Sequence, residues 1–354
     1  MKSEIMSEKK LLYEISIIRP LIIFLLVVYH SFCIFTHDWE MPQGVSDISL
    51  YWWIGNLISG FRIETIALVA GYVFSYQCLT LKRRYSFKDF IIKKFKRLII
   101  PCLTFGVLYY FLLLYQPESF SLVVFINKLL KGVGHLWFLP MLFWNFMLIW
   151  IVNKYNLTEI IILPIAVILT ILPVPSLPLG LTRVPHFFFY FYGGFLLWKY
   201  KAQVLSYWGN AKGISMFALS YFALLLFALW LFPEGYMEGM PFVKKAAMMI
   251  FANTLKMLYA SCGIMALYLL VCRHSEKDDF KPRHWVIRAS SVCYGVYVFH
   301  QFVMKIMLDK ITPPLQEVVD SFMIPWVLLV VSLTISLLLT ELSLKTRFGR
   351  FLIG

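Results

Sequence analysis

The chain has 354 residues, 60% of them hydrophobic and 15% charged, with a net charge of +14 and a mean hydropathy of +0.75. Apolar runs of membrane-spanning length recur from end to end, and no polar block is long enough to fold by itself, so we read a single polytopic domain over 1–354. The basic residues fall mainly in alternate short loops, a pattern of membrane topology and not of a nucleic-acid partner.

The first dozen residues, "MKSEIMSEKKLL", are charged and lack a small-residue cleavage site, so the first apolar segment is expected to be a retained helix. At about 20 apolar residues per span, ten helices are predicted: 16–36, 49–79, 98–115, 134–153, 157–174, 183–200, 213–233, 244–272, 286–307 and 323–344. Together they make an all-α integral membrane bundle. The loop 37–48 carries no Lys or Arg, whereas 80–97 carries eight. The positive-inside rule then places both termini in the cytoplasm and the protein in the inner (plasma) membrane, multi-pass. Lysines 128, 131, 244 and 245 fall on the other side and fit less well. Within 86–97, apolar positions at helical spacing oppose a lysine-rich face, which predicts a short interfacial helix.

In the first helix, Arg19 and His30 stand eleven positions apart, about 16 Å of rise and three turns, on roughly one face. A charge near the bilayer centre costs roughly 2.5 kcal/mol or more unless paired or hydrated. Two readings are open: Arg19 snorkels while His30 bonds a neighbouring helix, or the two form a polar line from the cytoplasm into the bundle. Chemically, a neutral imidazole suits a general base and arginine suits an anion such as phosphate.

The second helix contains "FRIETIALVAGY". Arg62 and Glu64, two apart, point to different sides and each needs its own partner. At the start of the fourth helix "GHLWFLP" sets His135 and Trp137 at the outer boundary. After the proline-dense stretch 173–187, Arg183 and His186 stand at the mouth of the sixth, with the Gly193–Gly194 pair permitting close helix approach. In the ninth, "SSVCYGVYVFHQFV" supplies Tyr294, Tyr297 and His300. His30, His135 and His300 thus share one half of the bundle. Carboxylate or cysteine partners at ligand-like spacing are missing, so no metal is expected. The six cysteines are scattered, without CxxC spacing, and read as packing residues. Neither a Walker loop nor HExxH nor GxSxG occurs.

Taken in order, Arg-x10-His, "FR" followed by "AGYVFS", a basic stretch ending "KRLIIP", "HLWFLP", "FFFYFYGGFLL" and "SVCYGVYVFHQF" resemble the membrane-bound acyltransferase-3 family over about 14–305. The resemblance implies an O-acyltransferase of cell-surface or exported carbohydrates, with acyl-CoA, usually acetyl-CoA, as donor substrate and no permanently bound cofactor. It makes His30 the essential histidine, Arg19 the arginine of the same motif and Arg62 the arginine of the "FR" element. The basic residues 82–97, Arg19 and Arg288 are candidates for the CoA phosphates, with Arg19 first. Arg62 or His135 is a candidate for oxyanion stabilisation, and Glu64 for orienting His30. Trp137, Arg183 and His300 are weaker site-lining candidates. Where family members often read "FRMPLFFFISGF", this chain reads "FRIETIALVAGY", which marks Glu64 as unusual. A transporter or flippase of a lipid-linked sugar is the alternative, although no internal repeat is visible. Phenylalanine-rich surfaces suit either lipid or a second subunit, so a homo-oligomer is open.

Overall fold

The computed structural model describes residues 12–233, 235–275, 283–311 and 320–354. The predicted cytoplasmic amino-terminal stretch and most of the basic connection 273–284 lie outside the described residues, which contain helices and no strand. Among them, eight helices are long and apolar enough to cross a membrane. The other two predicted spans are shorter helices, Glu159–Ile171 and Val184–Lys199.

Helix α1 (Tyr13–Phe32) is the central element. It packs against α2 (Ser49–Ser59), α3 (Arg62–Ser75), the 34-residue α12 (Phe242–Ser275), α13 (His284–Ile306) and α14 (Ile324–Lys345). The predicted second span is therefore two helices. Phe61, at φ −143° and ψ −3°, leaves the helical region and separates them, which puts Arg62 and Glu64 in the first turn of α3. There the unpaired amides of the helix start favour a carboxylate.

The predicted interfacial helix is not separate. α4 (Phe87–Lys94) runs through a π-turn, Phe95–Ile99, into α5 (Ile100–Tyr109), and the whole spans Phe87–Leu114. Pro101 lacks an amide hydrogen and crowds the turn before it; the wider π-turn falls at that place and lets the helix continue. An amphipathic α6 (Leu122–Lys131), not predicted, follows. Beyond it come α7 (Phe138–Lys154), α8 (Glu159–Ile171), α9 (Val184–Lys199), α10 (Lys201–Trp208) and α11 (Ala211–Leu231). The short α15 (Arg347–Ile353) ends the chain, and the Arg97 guanidinium donates to the Gly354 carbonyl.

The closest helix pairing is α3 on α9. A Cβ on Gly194 would collide with the Leu68 carbonyl, and one on Gly71 with the Phe191 carbonyl, so each helix meets the other's backbone. Gly193, the other half of the predicted pair, has nothing within 4 Å of such a Cβ. Only one glycine of that pair serves close approach, because only one faces α3. None of the six cysteines is in a disulfide, and all are buried or half-buried, as packing residues are.

Candidate active site

The site forms where α1, α3, α7 and α13 converge. The chain after α1 reverses sharply, with His37 at φ 58° and the Trp39 amide donating to the Cys33 carbonyl at 3.1 Å. This fold-back lays Asp38 and Trp39 over the end of α1. The Tyr29 hydroxyl donates to Asp38, and the Trp39 ring stacks on His30 at 5.5 Å between centroids.

From the other side α13 delivers His300. Its Nδ1 faces the Tyr297 carbonyl at 2.7 Å and the Val296 carbonyl at 3.1 Å. Carbonyls only accept, so Nδ1 carries the hydrogen and Nε2 the lone pair. His300 Nε2 lies 3.0 Å from His30 Nδ1, which must therefore be the donor. The consequence is a defined tautomer of His30, with its lone pair on Nε2. His300 is fully buried, and Ser332 of α14 donates to its carbonyl at 3.0 Å, so the acceptor is held on two sides.

His135 completes a cluster of three imidazoles, its ring 5.0 Å from that of His300. The turn Gly134–Trp137 presents it inward. Gly134 has φ 54°, and a Cβ there would press on the Tyr109 ring at 2.9 Å and on Gln301 Oε1 at 3.0 Å. Glycine thus lets the His135 amide donate to Gln301 Oε1 at 2.7 Å, while its Nε2 meets the Val298 carbonyl at 3.0 Å. Tyr297 closes the group by donating to the His135 carbonyl at 2.6 Å. Among the described residues no set of three or more His, Cys, Asp or Glu has the geometry of a metal site.

Arg62 is buried, its Cζ 3.3 Å from the Tyr29 ring centroid, and its Nε has no hydrogen-bond partner among the described residues. Arg62 and Glu64 go separate ways, as their spacing predicts. Glu64 Oε1 pairs with Lys256 of α12 at 3.2 Å. The expectation that Glu64 orients His30 is thereby corrected: the partner is His300, because Glu64 leaves α3 on the side of α12. Arg183 lies over the Trp137 ring at 3.8 Å, so Trp137 faces the site and not only the outer boundary.

These groups surround a cavity of about 380 Å³, lined at its buried end by His30, His135 and Arg62 and at its open end by Asp38 and Arg183. A second, of about 570 Å³, is lined by Arg19, Lys93, Lys94 and Arg97 together with apolar residues of α1, α3 and α7. Both cavities touch Ile66, Phe138 and Tyr297, so these three side chains form the partition. Arg19 and His30 thus face different chambers of one bundle. Arg288 lines neither; it is an exposed partner of Glu341, because it sits in the second turn of α13, on the bundle's outside.

A basic chamber, an apolar partition and a poised imidazole are the parts acyl transfer from a phosphorylated carrier requires. The comparison with family models agrees: the acyltransferase-3 model, described as an acyltransferase domain, matches residues 12–341. The chain belongs to the acyltransferase-3 family. Its members' chemistry, read on this fold, makes the protein a multi-pass membrane acyltransferase. No curated protein and no solved structure matches the chain. Sequence reasoning did not find Tyr29, Asp38, Trp39, Gln301 or Lys256. Gln301 directly follows His300 and Tyr29 directly precedes His30, and Lys256 is a charge inside a predicted apolar span; Asp38 and Trp39 had no such signal.

Proposed function

We propose that this acyltransferase moves an acetyl group from cytoplasmic acetyl-CoA to a hydroxyl of a cell-surface or exported carbohydrate in the inner membrane, with His30 as general base. The observation that carries the reading is the His30–His300 pair, which leaves the His30 Nε2 lone pair beside the cavity that abuts the basic chamber. The acceptor hydroxyl gives its proton to His30 Nε2 as its oxygen attacks the thioester carbonyl carbon. His300 Nε2 holds the Nδ1–H of the imidazolium that forms. Arg62, with an unsatisfied buried Nε, is suited to the oxyanion. Collapse breaks the C–S bond, the thiolate takes the proton back from His30, and an ester and free CoA result. Arg19, with Lys94 and Arg97, would hold the anionic CoA.

The test is purified protein with labelled acetyl-CoA and candidate glycans, compared with His30→Ala. Wild type should form a base-labile acetyl ester and the variant should lose about 10²–10⁴-fold in rate. A wild type that moves sugar across vesicles without consuming any thioester would sink this reading in favour of a carrier.

A further inference from the structure

Beside the histidine chamber lies another cavity, of about 500 Å³, bounded by α2, α3, α9 and α12. The two share Tyr29, Asp38, Arg62, Ile63, Trp137 and Arg183, so they adjoin. Apart from Arg62, which lines both, the acyl-transfer mechanism above uses none of its residues.

Four side chains of its wall, Glu64, His186, Asn253 and Asn56, keep hydrogen-bond acceptors. Glu64 is 3% exposed; Lys256 takes its Oε1, and Oε2 is buried with no partner among the described residues. His186 Nδ1 faces the Thr170 carbonyl at 2.8 Å, so Nδ1 carries the hydrogen and Nε2 is left with a lone pair. Asn253 gives one of its two amide hydrogens to the Ile171 carbonyl at 3.1 Å and keeps Oδ1 as an acceptor. Asn56 does the same to the Trp52 carbonyl at 2.9 Å. Glu64 Oε2 and His186 Nε2 are acceptors with no hydrogen of their own, and Asn253 and Asn56 each keep an Oδ1 acceptor beside one remaining amide hydrogen. A buried acceptor without a donor costs about 1–3 kcal/mol, so the occupant should bring donors.

Two donor-rich classes exist, ammonium groups and polyols. Arg62, Arg183 and Lys256 outnumber Glu64 and Asp38 on the wall, which disfavours a cation. A hydroxyl, by contrast, donates to the acceptors and accepts from these cations. Tyr259 and the buried Tyr190 supply apolar faces for a sugar ring.

We infer that this cavity is the acceptor subsite, where Glu64, held by Lys256, receives hydroxyl hydrogens of a carbohydrate and sets it beside His30. The inference rests on the reading of the protein as a carbohydrate O-acetyltransferase. Glu64 and Asn253 act as specificity residues; they do not touch the thioester.

The test uses cells deleted for the native gene and carrying wild type, Glu64→Gln or Asn253→Ala. Base-labile [14C]acetate on the glycan fraction is measured, and [14C]acetyl-CoA binding to each purified protein by equilibrium dialysis. Glu64→Gln should lower glycan ester at least tenfold and Asn253→Ala about threefold, with the acetyl-CoA Kd of both within twofold of wild type. Wild-type ester levels in both variants overturn the inference. So does a loss of acetyl-CoA binding by Glu64→Gln, which would make the Glu64–Lys256 pair a structural brace. If cells with wild type carry no more glycan ester than deleted cells, the acetyltransferase reading itself fails, a result separate from either.

Discussion

Replacing His300 tests the tautomer argument most directly. His300→Leu keeps comparable bulk at a fully buried position but removes the acceptor 3.0 Å from His30 Nδ1. In the proposed reaction that hydrogen bond is made to a neutral imidazole at the start and to an imidazolium in the transition state. A hydrogen bond to a charged group contributes about 1.5–3 kcal/mol, and each 1.36 kcal/mol is about tenfold in rate. Against about 0.5–1.5 kcal/mol for the bond to the neutral ring, the transition state gains about 1–1.5 kcal/mol, so the expected loss is about 5- to 13-fold in kcat. The KM for acetyl-CoA should stay within twofold, because Arg19 and its basic neighbours line the other chamber. His300→Gln, whose amide oxygen reaches nearly as far as Nε2, should recover at least a third of the lost activation free energy. The assay is steady-state release of free CoA with a thiol reagent, with detergent-solubilised variants first checked for monodispersity. A kcat for His300→Leu within twofold of wild type would refute the reasoning, as would an equal fall in both variants accompanied by a raised acetyl-CoA KM.

Arg19→Ala should raise the acetyl-CoA KM about tenfold or more while leaving the kcat at saturation within a few fold, measured in the same assay; salt should blunt the difference. Gly194→Ala drives a Cβ into the Leu68 carbonyl and should cost about 1–3 kcal/mol, read as a lower melting temperature in detergent, whereas Gly193→Ala at an open position should not shift it. Arg288→Ala breaks only an exposed ion pair with Glu341 and should change stability by less than about 1 kcal/mol, with acetyl-CoA binding untouched.

Much of the architecture was legible because hydropathy and charge act over whole segments. Apolar runs mark spans whatever their neighbours do, and all but two of the predicted spans are long apolar helical segments here, the second of them interrupted at Phe61. What failed was local. The break at Phe61 comes from one residue's backbone angles, and the fusion of 87–114 comes from a π-turn that accommodates Pro101; neither leaves a periodic trace. At the site, His30, Arg62, His135 and His300 announced themselves because polar groups in apolar helices are costly. Asp38 and Trp39 did not, since a polar loop is the ordinary place for both and only the reversal at His37 lays them on His30. Lys256, also a charge inside a predicted apolar span, could have been singled out by the same rule; its pairing with Glu64, 192 positions away, could not.

The partition between the chambers bears on how such an enzyme avoids wasting its donor. Ile66, Phe138 and Tyr297 separate the side lined by Arg19 from the side lined by His30. Two of the three are hydrocarbon, and the third spends its only hydroxyl hydrogen on the His135 carbonyl, so the partition has no free donor for water. The histidine chamber, by contrast, opens at Asp38 and Arg183, both exposed. A base that titrated freely in that open chamber would serve water as readily as a sugar. The tautomer imposed by His300 limits His30 to one lone pair, and stacking under Trp39 fixes the ring that carries it. In the proposed reaction, selection of a sugar hydroxyl over water would depend on filling the adjoining cavity, because an occupant bonded to Glu64 and Asn253 would displace the solvent next to that lone pair. Acceptor recognition and water exclusion would, in that reaction, be the same event.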